Sequence, residues 1–252
     1  MKTQDLNSHT EKYSEAFWTE LTTYLEQNSS RTLYAAFDAD GTLWNTDLGE
    51  GFFQYQIQNH LLKNLPENPW MHYRNMKAKN PPPAYLWLAQ INAGLPLQQV
   101  RQWAQNYVDQ MHPLPVFSEQ QKLIQILHRY QVQVFVVTAS IKWSVEPGAK
   151  LYHIPEQNVL GVQTEIQDGN ITQAQLGPIT WKQGKAQALL ERTQGVAPFL
   201  CGGNTLGDIS LLEAATDFSI AVTAVDSDHE LHSSEMELQK LATERGWLTQ
   251  KF

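Results

Sequence analysis

Four short apolar runs constrain the fold more than anything else in this chain: "TLYAAF" (32–37), "VQVFVV" (132–137), "PFLC" (198–201) and "FSIAV" (218–222). Each has the length of a buried strand and is too short for a helix. Between them lie stretches with helical spacing, Ser118 to Tyr130, "WKQGKAQALLERT" and "DISLLEAA". Strands alternating with helices point to βαβ units, hence to an α/β fold with a parallel sheet flanked by helices on both faces. A further helix is expected from Tyr13 to Gln27, where Tyr13, Phe17, Trp18, Leu21, Tyr24 and Leu25 keep the period and "NSSR" ends it.

The stretch from Thr46 to Pro115 differs from the rest. It is rich in aromatic residues, Asn, Gln and Pro, contains "NPPP" and has helical patterns without a convincing strand. At 252 residues the chain has room for a core with an insertion. The expected organisation is a core of residues 1–45 and 116–252 with a helical cap of residues 46–115. "GVQTEIQDGNIT", with Asp168-Gly169 at its centre, reads as a hairpin.

In parallel sheets, ligands gather at the carboxyl ends of the strands. Asp38, Thr138 and the segment Gly202 to Asp208 all follow strand ends, so three separate regions converge there. Asp38 and Asp40 are separated by one residue, and Gly41 permits a turn that aims them differently. One such carboxylate can attack an electrophile while the other serves as general acid and then base. Two carboxylates in one site repel, and a divalent cation relieves that repulsion near an anionic substrate. Oxygen ligands suit Mg²⁺, and "GGNTLGDISLL" adds Asn204 and Asp208 to the candidate ligands. Thr138 and the backbone at Ala139 and Ser140 are placed to cradle phosphate oxygens at a helix start. Lys185 opens a helix from which it can neutralise a phosphoryl group in transfer.

Taken in order, "DADGT", "VVT", "GK" and "GNTLGD" resemble the four motifs of the haloacid dehalogenase superfamily of phosphohydrolases, over about Leu33 to Val222. The resemblance implies a Rossmann-like core with Asp38 as a nucleophile that becomes an aspartyl-phosphate and Asp40 as acid/base. It makes Thr138 and Lys185 phosphate ligands, and assigns Mg²⁺ to Asp38, the Asp40 carbonyl and Asp208. Members commonly carry aspartate where this chain has Asn204, whose amide oxygen supplies one negative charge fewer. Weaker metal binding is the expectation.

The resemblance also makes the insertion a cap over the leaving group. "NTDLGEGFFQYQI" and "AYLWLAQINAGLPLQQVRQWAQNYV" are similar to the phosphorylcholine and phosphoserine phosphatase branch. Glu50 then faces a quaternary ammonium, with Asp47, Trp44, Tyr85 and Trp87 as further substrate-binding candidates and cation–π attraction available from the rings. Trp70, Tyr73, Trp103 and Tyr107 read as packing side chains. Phosphocholine, phosphoethanolamine and phosphoserine all remain open as substrates. Transfer of phosphate to an alcohol, and binding of a phosphometabolite without turnover, are the alternatives.

Composition points to a small partner, which the resemblance makes a phosphomonoester. The net charge is −8 and basic residues form no stripe, which disfavours nucleic acid and anionic membranes. A single cysteine, Cys201, excludes an intrachain disulfide and a thiolate zinc site. The stretch "MKTQDLNSHTEKYSEAFW" lacks the apolar core of a secretory signal, so a cytoplasmic location is expected. "GPITWKQGKA" is not a P-loop, because its glycines are too far apart and Ala186 replaces the hydroxyl. His229 and His232 on a terminal helix read as a solvated face, and no G-x-S-x-G turn is present.

Overall fold

A computed structural model describes residues 12–252, so the first part of the stretch read for a secretory signal lies outside the described residues. Among the described residues, eight strands form: β1 (Tyr34–Phe37), β2 (Gln133–Ile141), β3 (Val159–Val162), β4 (Thr164–Gln167), β5 (Asn170–Gln175), β6 (Leu200–Gly203), β7 (Phe218–Thr223) and β8 (Leu248–Lys251). Six of them make a sheet in the order β3-β2-β1-β6-β7-β8, and every pairing is parallel. The order reverses at β1, whose two neighbours continue in opposite directions. Such a switch point leaves a crevice at the carboxyl edge of the sheet.

The helices are α1 (Glu15–Gln27), α2 (Leu48–Gln58), α3 (Pro69–Lys79), α4 (Pro81–Gln90), α5 (Leu97–Gln110), α6 (Ser118–Arg129), α7 (Lys142–Lys150), α8 (Gln183–Arg192), α9 (Ile209–Glu213) and α10 (His232–Arg245). Alternation along the strands sorts them into layers. Ala35, Phe37, Val134 and Val136 face Leu21 and Leu25 of α1, Leu123 and Leu127 of α6 and Val145 of α7. Ala36, Phe135, Val137 and Cys201 face Leu189 of α8, Leu211 of α9 and Leu238 of α10. The strands between these layers are buried on both sides, which is why they read as unbroken apolar runs.

Helices α2–α5 fill the segment between β1 and α6 and enclose a separate apolar cluster that includes Phe52, Phe53, Tyr73, Leu88 and Val100. Its two chain crossings run side by side, with the Asn45 N–H donating to the Pro115 carbonyl at 2.8 Å and the Phe117 N–H to Leu43 at 3.0 Å. Strands β4 and β5 form the expected hairpin, with Asp168 and Gly169 at positive φ in its turn. That hairpin clasps the inserted helices: the Gly94 N–H donates to the Ile171 carbonyl at 2.8 Å, and the Ile171 N–H returns to Leu95 at 3.0 Å.

Several expectations need correction. Gly161 and Val162 belong to β3, with Val162 paired to Ile141 of β2, so the hairpin starts later than its sequence pattern implies. The polar run of β8 was not foreseen as a strand; it adds an edge to the sheet by pairing with β7. His232 opens α10, but the exposed His229 precedes it, so the two do not share a helical face. Among the described residues, no helix is long and apolar enough to cross a membrane.

Candidate active site

Asp38 leaves the end of β1 with its N–H donated to the Gly202 carbonyl of β6 at 2.9 Å, which places it at the switch point. A tight turn follows, in which Thr42 and Leu43 donate to the Ala39 carbonyl and Gly41 donates to Trp44. Gly41 has φ of +76°, and a Cβ there would stand 2.2 Å from the Asn204 amide nitrogen. Both the conformation and the contact therefore require glycine.

The turn gives the two aspartates different surroundings. Asp38 is buried and accepts from the Lys185 ammonium and, at 3.4 Å, from the Thr42 hydroxyl. Asp40 accepts from the Trp44 indole at 2.7 Å, the Leu48 N–H at 2.9 Å and the Ser140 hydroxyl at 2.7 Å. Burial and the facing Asp208 push the Asp38 carboxyl up to about 7, against the pull of Lys185. Burial also raises Asp40, but the bonds from Leu48, Ser140 and Trp44 favour its ionised form and oppose the rise.

Lys185 lies one residue into the first turn of α8 beyond Gly184 and is buried. Its ammonium bridges Asp38 and, at 2.5 Å, Asp208 Oδ1. Burial works against that charge, but the two carboxylates outweigh it and hold the ammonium protonated. Asp208 spends its other oxygen on the Asn204 and Thr205 N–H groups and the Thr205 hydroxyl, at 3.0–3.1 Å. The Asn204 carbonyl oxygen accepts from Thr42 at 3.3 Å.

These groups floor a cleft of about 320 Å³ whose far wall comes from α2, α3 and α4. Thr138 and Ala139 reach the cleft, but not at a helix start. Strand β2 runs on to Ile141, and the Ser140 N–H is already donated to the Thr138 hydroxyl at 3.1 Å. The backbone cradle expected there is thus partly occupied by the chain itself.

The cap-side candidates divide. Asp47 is exposed to the cleft, and it caps α2 by accepting from the Glu50 N–H at 2.7 Å. Enclosure by the walls, then Asp40 and Glu50, raise its carboxyl well above the ordinary range. Glu50 faces the cleft too, but accepts from the Lys77 ammonium and from the Tyr73 hydroxyl at 3.0 Å. Tyr85 lines the cleft as expected.

Trp44 does not line it: the ring is fully buried and serves Asp40. Trp87 does not line it either. Its ring packs between Phe53 and His72, because the apolar face of α4 turns into the insert's own core.

Sequence reasoning missed Lys77, Trp181, Lys182, Leu231 and Ser234, which all line the cleft, and it read Tyr73 as packing alone. Trp181 and Lys182 leave a local trace, since they stand just before Gln183 and the "GK" motif. In the structure Lys182 takes a positive φ of 48° and its ammonium lies 4.4 Å from the Trp181 ring centroid.

Among the described residues, no three His, Cys, Asp or Glu side chains form a metal cluster. A metal at this floor would have the two carboxylates of Asp38 and Asp208 and neutral oxygens to draw on. Thr42 reaches both Asp38 Oδ2 and Asn204 Oδ1, so carboxylate and amide oxygens do converge there. An all-oxygen set with two carboxylates fits the chemistry of Mg²⁺, which is commonly held by one or two carboxylates together with water and substrate phosphate.

Comparison with known proteins bears on the fold and the family. Phosphorylcholine phosphatase of Pseudomonas aeruginosa is 23% identical over 74% of this chain and 72% of its own length. A protein of unknown function from Anaerococcus prevotii superposes with a TM-score of 0.69 at 14% identity, covering 96% of this chain and 92% of that one. A substrate-bound phosphoserine phosphatase has a TM-score of 0.52 at 15% identity, covering 84% and 98%. The family model for haloacid dehalogenase-like hydrolases matches residues 35–213, a span that runs from the strand bearing Asp38 to the helix after Asp208. With the motif residues gathered at one strand edge and most of the chain matched, this protein belongs to the haloacid dehalogenase-like hydrolase family.

Proposed function

We propose that the protein is a Mg²⁺-dependent phosphomonoesterase acting on a small phosphorylated metabolite. The carrying observation is the unequal environment of the two aspartates: Asp38 joins the Lys185–Asp208 ion cluster, while Asp40 is held apart by three neutral donors. An Asp38 oxygen attacks phosphorus as the ester P–O bond breaks, and Asp40 gives its proton to the departing alkoxide. Water then attacks the aspartyl-phosphate, Asp40 takes its proton, and inorganic phosphate leaves with Asp38 restored. Lys185 and Thr138 bind the phosphoryl oxygens. Asp38, the Asp40 carbonyl, Asp208 and Asn204 would hold the metal, which when bound would supply positive charge against the Asp38–Asp208 repulsion and toward the phosphoryl oxygens. The four inserted helices act as the cap.

For the leaving group, we favour an alcohol carrying a cationic nitrogen, as in phosphocholine. The relative that is a phosphorylcholine phosphatase supports this reading, as do Asp47 and Glu50 in the cleft wall and the ring of Tyr85. A second reading has its own observation. Lys77 already neutralises Glu50, so the wall offers charge of both signs and also suits a leaving group with an amine and a carboxylate, as in phosphoserine.

A panel of phosphomonoesters with Mg²⁺, run on wild type, Asp38→Asn, Lys77→Met and Asp47→Asn, tests both. Asp38→Asn should abolish turnover. On the first reading Lys77→Met lowers KM for phosphocholine, whereas on the second it raises KM for phosphoserine. Turnover retained by Asp38→Asn sinks the mechanism.

A further inference from the structure

Glu235, on α10, is fully buried and takes part in no ion pair among the described residues. All its bonds are accepted from neutral donors: Oε1 from the Asn204 side-chain Nδ2 at 3.0 Å, and Oε2 from the N–H groups of Ala224 and Val225 at 3.0 and 3.2 Å. A buried carboxylate without a cation partner is costly, so its location calls for a reason. That location is directly behind the one side chain of the site that departs from the family's acidic pattern.

An asparagine amide has a donor end and an acceptor end of nearly equal shape, and its neighbours decide which way it faces. Glu235 accepts from the Asn204 NH₂, and the amide's Oδ1 is turned toward the Thr42 hydroxyl, which also reaches Asp38. Flipped the other way, the amide would present N–H groups where a cation is to bind. An aspartate at 204 would set one carboxylate against another across the same 3.0 Å.

We propose that Glu235 is a positioning residue for the Mg²⁺ site. It fixes the Asn204 amide with its oxygen toward the metal and supplies, one residue further out, the negative charge that Asn204 lacks. Residues 204 and 235 therefore work as a pair, Asn with Glu or Asp with Gln, and the mixed combinations fail. This rests on the Mg²⁺-dependent reading above.

The test is a double-mutant cycle with Glu235→Gln, Asn204→Asp and the two together. It is read by Mg²⁺ titration calorimetry and by thermal unfolding in EDTA. In Glu235→Gln, the new amide's oxygen keeps the two backbone donors and its NH₂ faces residue 204, so the Asn204 amide flips. Mg²⁺ affinity should fall about 10-fold or more, as for other groups that orient metal ligands. Asn204→Asp alone should unfold at a lower temperature than wild type even in EDTA, because of the paired carboxylates.

In the double variant, the amide NH₂ introduced at position 235 donates to the carboxylate introduced at position 204. The unfolding temperature should return to that of wild type, and Mg²⁺ should bind at least as tightly as in wild type. That rescue also shows that neither substitution merely breaks the fold. Equal Mg²⁺ affinity with Glu and Gln at 235, or a double variant that simply adds the two losses, overturns the role of Glu235 while leaving the reaction untouched. A wild type that binds no Mg²⁺ overturns the metal reading and the role of Glu235 together.

Discussion

Asp38 and Asp40 are two positions apart in sequence and share almost no partners. The difference comes from a turn that closes on Ala39 and Trp44 and so points one carboxylate into an ion cluster and the other toward hydroxyl, indole and amide donors. Ser140 is the most informative of those donors, since its removal deletes one oxygen and leaves the packing nearly unchanged. A hydrogen bond to a charged group contributes about 1.5–3 kcal/mol, so Ser140→Ala should lower kcat by roughly 10- to 150-fold, with KM little altered. The bond favours the ionised form of Asp40 and thus lowers its pKa; deleting it raises that pKa. The limb of the pH–rate profile governed by Asp40 should therefore move to higher pH, and an unmoved limb would remove Asp40 from proton transfer.

Among the elements, the start of α8 shows why a glycine precedes the site lysine. A Cβ on Gly184 would stand 1.8 Å from the Ile179 carbonyl oxygen, which is backbone and has no side-chain freedom to yield. Gly184 thus lets the helix begin against the preceding loop and deliver Lys185 between Asp38 and Asp208. Gly184→Ala should cost about 2 kcal/mol or more, a fall in Tm of roughly 4–8 °C for a chain of this size, together with most of the activity. Normal Tm by calorimetry would show that the contact relaxes freely.

Strand and helix types were legible wherever one element has one environment. The runs of β1, β2, β6 and β7 are apolar because both faces are covered. By contrast, β8 is "LTQK" on an edge with only Gln250 well buried, so nothing in its composition marks it as a strand. The break between β3 and β4 is equally silent, because it depends on which strand each half pairs with.

Across the whole molecule, one polar tie joins α3 to the segment before α10 at the rim of the cleft. Arg74 on α3 donates to both oxygens of Glu230, just before α10, at 3.1 and 2.8 Å. Both side chains are substantially exposed, and an exposed ion pair contributes only about 0–1 kcal/mol to stability. Its effect should show in closure instead. Glu230→Gln should leave Tm nearly unchanged, raise KM severalfold, and weaken the dependence of KM on salt, because a screened tie no longer holds the cleft shut. Stopped-flow binding of a phosphate analogue at two ionic strengths checks this; the same salt dependence in both proteins would assign the pair no part in closure.

What the sequence determined by itself was the βαβ plan, the hairpin turn at Asp168-Gly169, and the convergence of Asp38, Thr138 and the segment from Gly202 to Asp208 at one strand edge. All of these follow from local periodicity and from motifs a few residues long. Tertiary structure decided the partners of the polar groups: Trp44 for Asp40 instead of substrate, Lys77 for Glu50, Glu235 for Asn204. Glu50 and Lys77 are 27 residues apart, and Asn204 and Glu235 are 31 apart. A buried or cleft-facing charge takes whichever partner the folded chain brings within about 3 Å, and linear spacing does not encode that distance.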